Sequence, residues 1–353
     1  MPLSQINSAS IEDGAVAPVD LSSVAQYTGF KNRIINGAMV FDQRNNAASV
    51  TATTANLYTL DRWQSIASQN SKFTITQNAG ALTAPAGFIK YLGITSSSAY
   101  TVLAADYFGI QQSIEGLNMA DFGWGTANAV TVTVSFWVRS SLTGTFGGVI
   151  NNNDNTRSYP YTYTISAANT WEQKSVTIPG DTSGTWLTTN STGLQLRFGA
   201  GVGSTYSGAA GAWSSTFYIS ATGATSVVGT NGATFYLTGV QLEKGTTATS
   251  FDYRPYGTEL SLCQRYYEVL YIDSASLGVI SNYYNGTTQY TFWQYQQTKR
   301  TNTTVALASG STWVGGTPNL YGGTSRSTIG GITGFFYNTG TAGNPGLTAS
   351  AEL

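Results

Sequence analysis

Catalysis by this chain would have to rest on carboxylates. The sequence has no histidine and one cysteine, Cys263. A Ser-His-Asp triad, a Cys-His dyad, a His-based zinc site and an internal disulfide are therefore excluded. Paired carboxylates can cleave a glycosidic bond without histidine. Asp106, Glu115, Asp121, Asp154, Glu172 and Asp181 are the candidates, and no recognisable motif ties one to another. The run NNNDN (151–155) is dense in oxygen ligands but lacks the spaced acids and closing glutamate of a calcium loop. It reads as an Asx-rich turn. GAGVGS (199–204) has no lysine and follows a strand pattern, so it reads as a turn and not a phosphate loop. Cys263 reads as a small buried packing residue. The expectation is a chain that is not an enzyme and needs no cofactor or metal.

Aromatic side chains are the second source of chemistry, at 13% of the chain. Phe73, Phe136, Phe198, Phe235 and Leu237 lie on the apolar phase of their segments and are assigned to the core. Trp137, Trp186, Tyr206, Trp213 and Trp313 lie on polar phases or in turn-rich segments. Tyr159 and Tyr161 fall in the period-2 run RSYPYTY (157–163). Aromatic faces beside Asn, Gln and Arg suit stacking and hydrogen bonding to a sugar ring, and the same residues serve protein interfaces. These are the candidate glycan contacts. The competing reading is packing against a second sheet or a neighbouring subunit.

The elements that must position them are strands. VTVTVSFWVRS (130–140) alternates strictly, with Val130, Val132, Val134, Phe136 and Val138 on one face. KFTITQN (72–78), KSVTIPG (174–180), GLQLRFGAG (193–201), STFYIS (215–220) and ATFYLTGVQLEKG (233–245) repeat the pattern between Gly-rich turns. The expected fold is all-β: a jelly-roll β-sandwich over 28–255, then a smaller β-sandwich domain over 256–353 that opens with a short helix. Thr258 is the expected N-cap of that helix, with Glu259 in its first turn and Leu262, Tyr266 and Val269 at helical spacing. Residues 1–27 form a short N-terminal arm, read either as a tail or as a docking segment.

Charged residues are only 9% of 353, against roughly 25% in an average domain. Ser and Thr make up about a quarter of the chain. The net charge of -1 gives no electrostatic footprint for nucleic acid. No stretch approaches the ~18 apolar residues of a transmembrane helix. The N-terminus lacks the basic and apolar regions of a signal peptide. A low-charge, hydrogen-bonding surface without an export signal suits a protein packed into a virus particle and released by lysis.

Three segments carry a resemblance. KNRIINGAMVFDQRN (31–45) with YTLDRWQ (58–64) is similar to the opening of a domain of bacteriophage tail-fibre and related virion appendage proteins. FYLTGVQLEKGTTATSFDYRPYGTELSLCQRYYE (235–268) resembles the closing motif of the same group, and the final AEL (351–353) fits it. The body between resembles jelly-roll carbohydrate-binding modules in style. The resemblance implies a homotrimeric tail fibre or appendage located on the virion. It would be attached to other virion proteins through 1–27 and to the host surface through a glycan, without membrane insertion. A head-decoration or capsid-fibre protein without ligand, and a glycan depolymerase, are the alternatives. The motif residues read as structural. Asp61 and Arg62 are expected to form an ion pair or a backbone-bonded anchor beside Trp63, and Arg44 to tie the first strand to a neighbour. Arg254, Gln264 and Arg265 are expected to fix the second domain against the first.

Overall fold

The computed structural model describes residues 30–271, 283–285, 288–307, 313–314, 319–332, 337–338 and 345–353. The arm expected over 1–27 lies outside the described residues. Two six-stranded antiparallel sheets form a jelly-roll sandwich. The first runs Val50–Thr51, Phe73–Gln77, Leu92–Ser96, Thr234–Lys244, Val132–Ser140, Glu172–Ile178. The second runs Tyr58–Leu60, Trp63–Ala67, Tyr107–Glu115, Thr192–Val202, Gly144–Asn152, Ser158–Ile165. Neighbours in the sheets are mostly distant in sequence, which is what a chain crossing repeatedly between two layers produces.

The alternating pattern sets the layers. Val132, Val134, Phe136 and Val138 are fully buried between the sheets, and Leu194, Leu196 and Phe198 face them from the second sheet. Phe136 and Phe198 meet edge to face, with ring centres 5.0 Å apart. Aliphatic and aromatic side chains of this size each contribute about 1.5–3 kcal/mol on full burial. Pro160 is accommodated because Ser158–Ile165 is an edge strand. Its carbonyl accepts from the Gly211 amide at the open side of the sheet.

Three local expectations are corrected. Residues 199–202 are not a turn but the end of the strand Thr192–Val202. They pair there with Tyr107–Glu115 through a register irregularity between Gly199 and Gly201. The glycines allow close backbone approach: a Cβ on Gly109 would sit 2.3 Å from the Phe198 carbonyl oxygen. STFYIS yields only the short strand Ser220–Ala221, paired in parallel with Ser207–Gly208. The third correction is the helix, which spans Tyr256–Gln264 and is preceded by Pro255 rather than capped by Thr258. Its first turn closes when the Glu259 amide donates to the Pro255 carbonyl. Val269 belongs to the strand Tyr267–Tyr271, because pairing with Pro345–Ser350 competes with helix continuation and wins.

After the helix, Tyr267–Tyr271, Pro345–Ser350 and Thr304–Leu307 form a three-stranded sheet. A four-stranded sheet contains Tyr283–Asn285, Thr288–Gln294, Arg326–Ile332 and Asn319–Gly322. Trp293 and Tyr295 from one side, and Leu347 and Ala349 from the other, make a small second core. Cys263 is fully buried in a third cluster with Ile35, Phe41 and Tyr266. Burial pushes its thiol well above the ordinary value, which leaves a packing residue and not a nucleophile.

Candidate functional site

In Thr192–Val202 the residues Leu194, Leu196 and Phe198 point into the core. Strand alternation therefore places Gln195 and Arg197 on the opposite face of the second sheet. Gln111 of the adjacent strand and Asn151 of Gly144–Asn152 join them there. Arg197 is 6% exposed. Its Nε donates to Gln111 Oε1 at 2.8 Å, one terminal nitrogen to Asn151 Oδ1 at 2.7 Å, and the other to Gln195 Oε1 at 2.6 Å. Both terminal nitrogens also reach Asn155 Oδ1, each at 3.4 Å.

The amides are oriented by their own partners. Gln111 Nε2 donates to Gln64 Oε1, and Gln64 Nε2 to the Asn56 carbonyl. Asn151 Nδ2 donates to Ser158 Oγ and to the Tyr218 carbonyl. The Gln111 and Asn151 carboxamides thus turn their oxygens to the guanidinium and pass their own N–H bonds outward. Burial pushes Arg197 down to about 10, still protonated at neutral pH. An aromatic row borders this lattice. Phe217 lies 5.2 Å from the guanidinium carbon, Tyr206 meets Phe217 at 5.6 Å, and Tyr107 meets Tyr206 at 5.4 Å. All three are half-buried. A cation, oriented amides and aromatic faces on one sheet surface are the groups that hydrogen-bond and stack on sugars.

Tyr206 is the one aromatic candidate from the sequence that joins this row. Tyr159, Tyr161 and Trp186 are corrected to interior positions. The tyrosine phase of Ser158–Ile165 faces inward, because Pro160 and Thr162 occupy the other phase. Tyr161 is 2% exposed and its hydroxyl donates to the Arg197 carbonyl at 2.8 Å. Trp186 and Trp213 pack edge to face with each other and with Trp124, and Trp213 tilts against Tyr159. Their indole N–H groups donate to the Ser183 and Pro179 carbonyls. Trp137 is half-buried on the outer face of the first sheet, opposite Thr238 and Gln173 and away from Arg197. Trp313 lies on the short strand Trp313–Val314, and its side chain is outside the described residues. Sequence reasoning did not find Arg197, Gln111, Asn151, Gln195 or Asn155. The available signal was the amide-rich polar phase shared by GIQQSIE, VINN and LQLRF.

Each of the six candidate carboxylates is engaged by its own partner. Asp106 accepts from Ser68, Tyr100 and the Leu103 amide. Asp121 pairs with Arg33, Glu172 with Lys174 and Asp181 with Arg157, while Asp154 accepts from Thr156. Glu115 pairs with Arg265. Among the described residues no three metal-ligating side chains cluster.

The motif residues meet at the joint between the two cores. Arg62 sits in the turn before Trp63–Ala67 with φ 70 and its side chain buried. It pairs with Glu352, donates to the Ser113 carbonyl and lies 3.6 Å from the centre of the Tyr266 ring. Burial alone would lower this guanidinium, but Glu352, Tyr266 and Tyr58 together offset it and the group ends above its ordinary value. Arg44 also pairs with Glu352, at 2.7 Å, and lies 3.5 Å over Tyr267. Asp61 does not pair with Arg62. It accepts from the Gln43 amide at 3.1 Å and from Gln43 Nε2 at 2.5 Å. Trp63 is fully buried and donates to the Asn36 carbonyl.

Arg254 pairs with Glu259 at 2.9 Å and donates to the carbonyls of Ile34 and Asn32, tying the helix to the first segment. Arg265 grips Glu115 through two nitrogens at 2.9 and 2.6 Å, and the Tyr266 hydroxyl adds a third bond at 2.6 Å. Gln264 is half-buried and accepts through its carbonyl from Lys299, whose ammonium also meets buried Glu268.

No family model and no curated protein matches this chain. Several solved structures are similar in part. The bacteriophage CBA120 tailspike protein 4 enzymatically active domain is 10% identical, over 61% of this chain and 21% of that one, with a TM-score of 0.33. The match thus spans about a fifth of the tailspike chain. A family 11 carbohydrate-binding module from Clostridium thermocellum, solved with a mixed-linked tetrasaccharide, is 9% identical over 57% of this chain and 98% of that one, with a TM-score of 0.29. The N-terminal cellulose-binding domain of a Cellulomonas fimi glucanase is 13% identical over 45% and 80%, with a TM-score of 0.26. The sandwich assignment rests on the strand pairing itself.

Proposed function

We propose that this chain is a structural component of a phage virion, a trimeric tail fibre or appendage that attaches to the host surface by binding a glycan. Binding, not catalysis, is its activity. The observation that carries the reading is the Arg197 face: a dehydrated cation, the Gln111 and Asn151 carboxamides held with their oxygens inward, and the row Tyr107, Tyr206 and Phe217 beside them. The virion role rests on the resemblance of the motif segments to phage appendage proteins; their charged residues serve the joint, as their structural reading expects. Few surface charges also mean little repulsion between identical chains packed side by side.

A glycan array probed with the intact chain tests the binding, alongside Tyr206→Ala. The expected result is selective glycan capture that falls at least tenfold in the variant with little loss of melting temperature. A folded chain that captures no glycan would overturn the binding function. Imaging of the intact particle tests the location. Density on the head, with no glycan captured, would make the chain a shell-decoration protein instead. Loss of polymer viscosity on incubation would make it a depolymerase.

A further inference from the structure

Arg197 differs from the arginines that hold the sandwich and the joint together. Arg44, Arg62, Arg157, Arg254 and Arg265 each pair with a carboxylate. Of these only Arg62 is, as a whole residue, as fully buried as Arg197, and it pairs with Glu352, yet the side-chain partners of Arg197 are carboxamide oxygens. Amide oxygens carry partial charge only, so among the described residues no carboxylate pairs with this positive charge on the face of the sheet. The lowered guanidinium value, driven by burial, reflects the same imbalance.

The hydrogen-bond geometry shows where compensation would enter. Three short bonds hold the guanidinium: Gln111 and Gln195 along one edge, Asn151 at the far nitrogen. The end formed by the two terminal nitrogens has, among the described residues, one shared acceptor, Asn155 Oδ1, at 3.4 Å from each. That end is the fork that a planar carboxylate fills with two parallel bonds at about 2.7–2.9 Å. One long shared contact leaves it underused. Asn155 belongs to the turn after Gly144–Asn152, with φ 58 and a half-buried side chain, so it can be displaced without disturbing the sheet. Much of the dehydration of the arginine is already met in the folded protein, and an arriving carboxylate loses mainly its own water. Phe217 and Tyr206 lie alongside to take a sugar ring.

We infer that the glycan held at this face carries a carboxylate, as a uronic acid does, and that the carboxylate replaces Asn155 Oδ1 at the Arg197 fork. This rests on the glycan-binding reading above and narrows its ligand class. The test is titration of the intact chain with oligogalacturonate and oligoglucuronate beside their carboxyl-reduced counterparts and a sulfated oligosaccharide. Uronates should bind at least tenfold more tightly than the reduced forms, and the preference should shrink as salt is raised. Arg197→Gln should erase the preference. Because that variant can also fail to fold, Asn155→Asp is the second arm. It sets a carboxylate of the chain itself against the fork, and should lose at least tenfold in uronate affinity while melting no lower than the wild type. Reduced or sulfated forms binding as tightly as uronates would overturn the acidic-sugar inference and leave glycan binding standing. So would uronate affinity unchanged in Asn155→Asp. Capture of none of these sugars or any other glycan would bring down both.

Discussion

Arg62 and Glu352 form a buried ion pair across 290 residues of sequence. The pair joins a tight turn of the second sheet to the segment that follows the strand Pro345–Ser350. Tyr266, which follows the helix, stacks on the same guanidinium. One arginine therefore fastens three parts of the chain.

Removing Arg62 leaves Glu352 buried with Arg44 as its remaining cation. Arg62→Ala is expected to cost about 3–5 kcal/mol, the usual penalty for breaking a buried pair. Arg62 also holds φ 70, where an L-residue is strained by about 1–2 kcal/mol. Arg62→Gly loses the same ion pair but relieves that strain, so it should be more stable than Arg62→Ala by about 1 kcal/mol. Urea unfolding of both variants checks the order. Equal stability of the wild type and Arg62→Ala would mean that the joint does not depend on this pair.

Asp61 gives the protein a pH dependence of unusual sign. Burial raises its carboxyl to about 6, with the Gln43 bonds opposing. In the unfolded chain the group titrates near its ordinary value of about 3.9. The native state thus holds the proton more tightly. The stability linked to this group is fully present below about pH 4, declines as pH rises towards about 6, and is flat above. The decline is worth about 2–3 kcal/mol. Asp61→Asn should remove this step, so its stability relative to the wild type should improve between pH 4 and pH 7. A relative stability that is identical at both pH values would rule the effect out.

Glu115 works in the opposite direction. Burial would raise its carboxyl, but the bonds from Arg265 and Tyr266 override that and hold it below the ordinary value. Its contribution is present above about pH 4.3 and is lost as pH falls through the lower folded value. Arg265→Ala should cost about 2–3 kcal/mol, below the full price of a buried pair because the Arg265 side chain is 31% exposed. The variant should also unfold at a higher pH on acid titration, read by tryptophan fluorescence. An unshifted acid midpoint would show that Glu115 is held by other groups.

The sheets were legible from the sequence, because Val132, Val134, Phe136 and Val138 repeat with the period of a strand and nothing in that segment competes. The joint was legible only in part. Asp61, Arg62 and Arg265 stand out as charges in a chain that has few, yet their partners Gln43, Glu352 and Glu115 are set by tertiary contact alone. The Arg197 lattice was not legible. In LQLRF an arginine on the polar phase looks like an ordinary solvated charge. Its burial comes from Gln111 and Asn151, 86 and 46 residues away, and from Phe217 beyond them. Tyr161 failed in the other direction. Period 2 says that Tyr159, Tyr161 and Tyr163 share a face, but not which face, and the Pro160 and Thr162 phase took the outside.

Tyr161 and Tyr206 separate fold from function. Tyr161 is enclosed by Phe198 and Tyr163 and donates to the Arg197 carbonyl, so Tyr161→Ala opens a cavity and removes that side-chain hydrogen bond. A loss of about 3–5 kcal/mol is expected, as for other buried aromatic truncations. Tyr206 is half-buried in the short helical turn Ser204–Tyr206 and touches Tyr107 and Phe217 edge on. Tyr206→Ala removes a rim contact and should lower stability by less than about 1 kcal/mol. Its effect should fall on the ligand instead, with affinity for the captured glycan down about tenfold, or about 1.4 kcal/mol. Melting curves and glycan titration on the same two preparations decide the matter. If Tyr206→Ala melts as far below the wild type as Tyr161→Ala does, the aromatic row is part of the core and not a sugar platform.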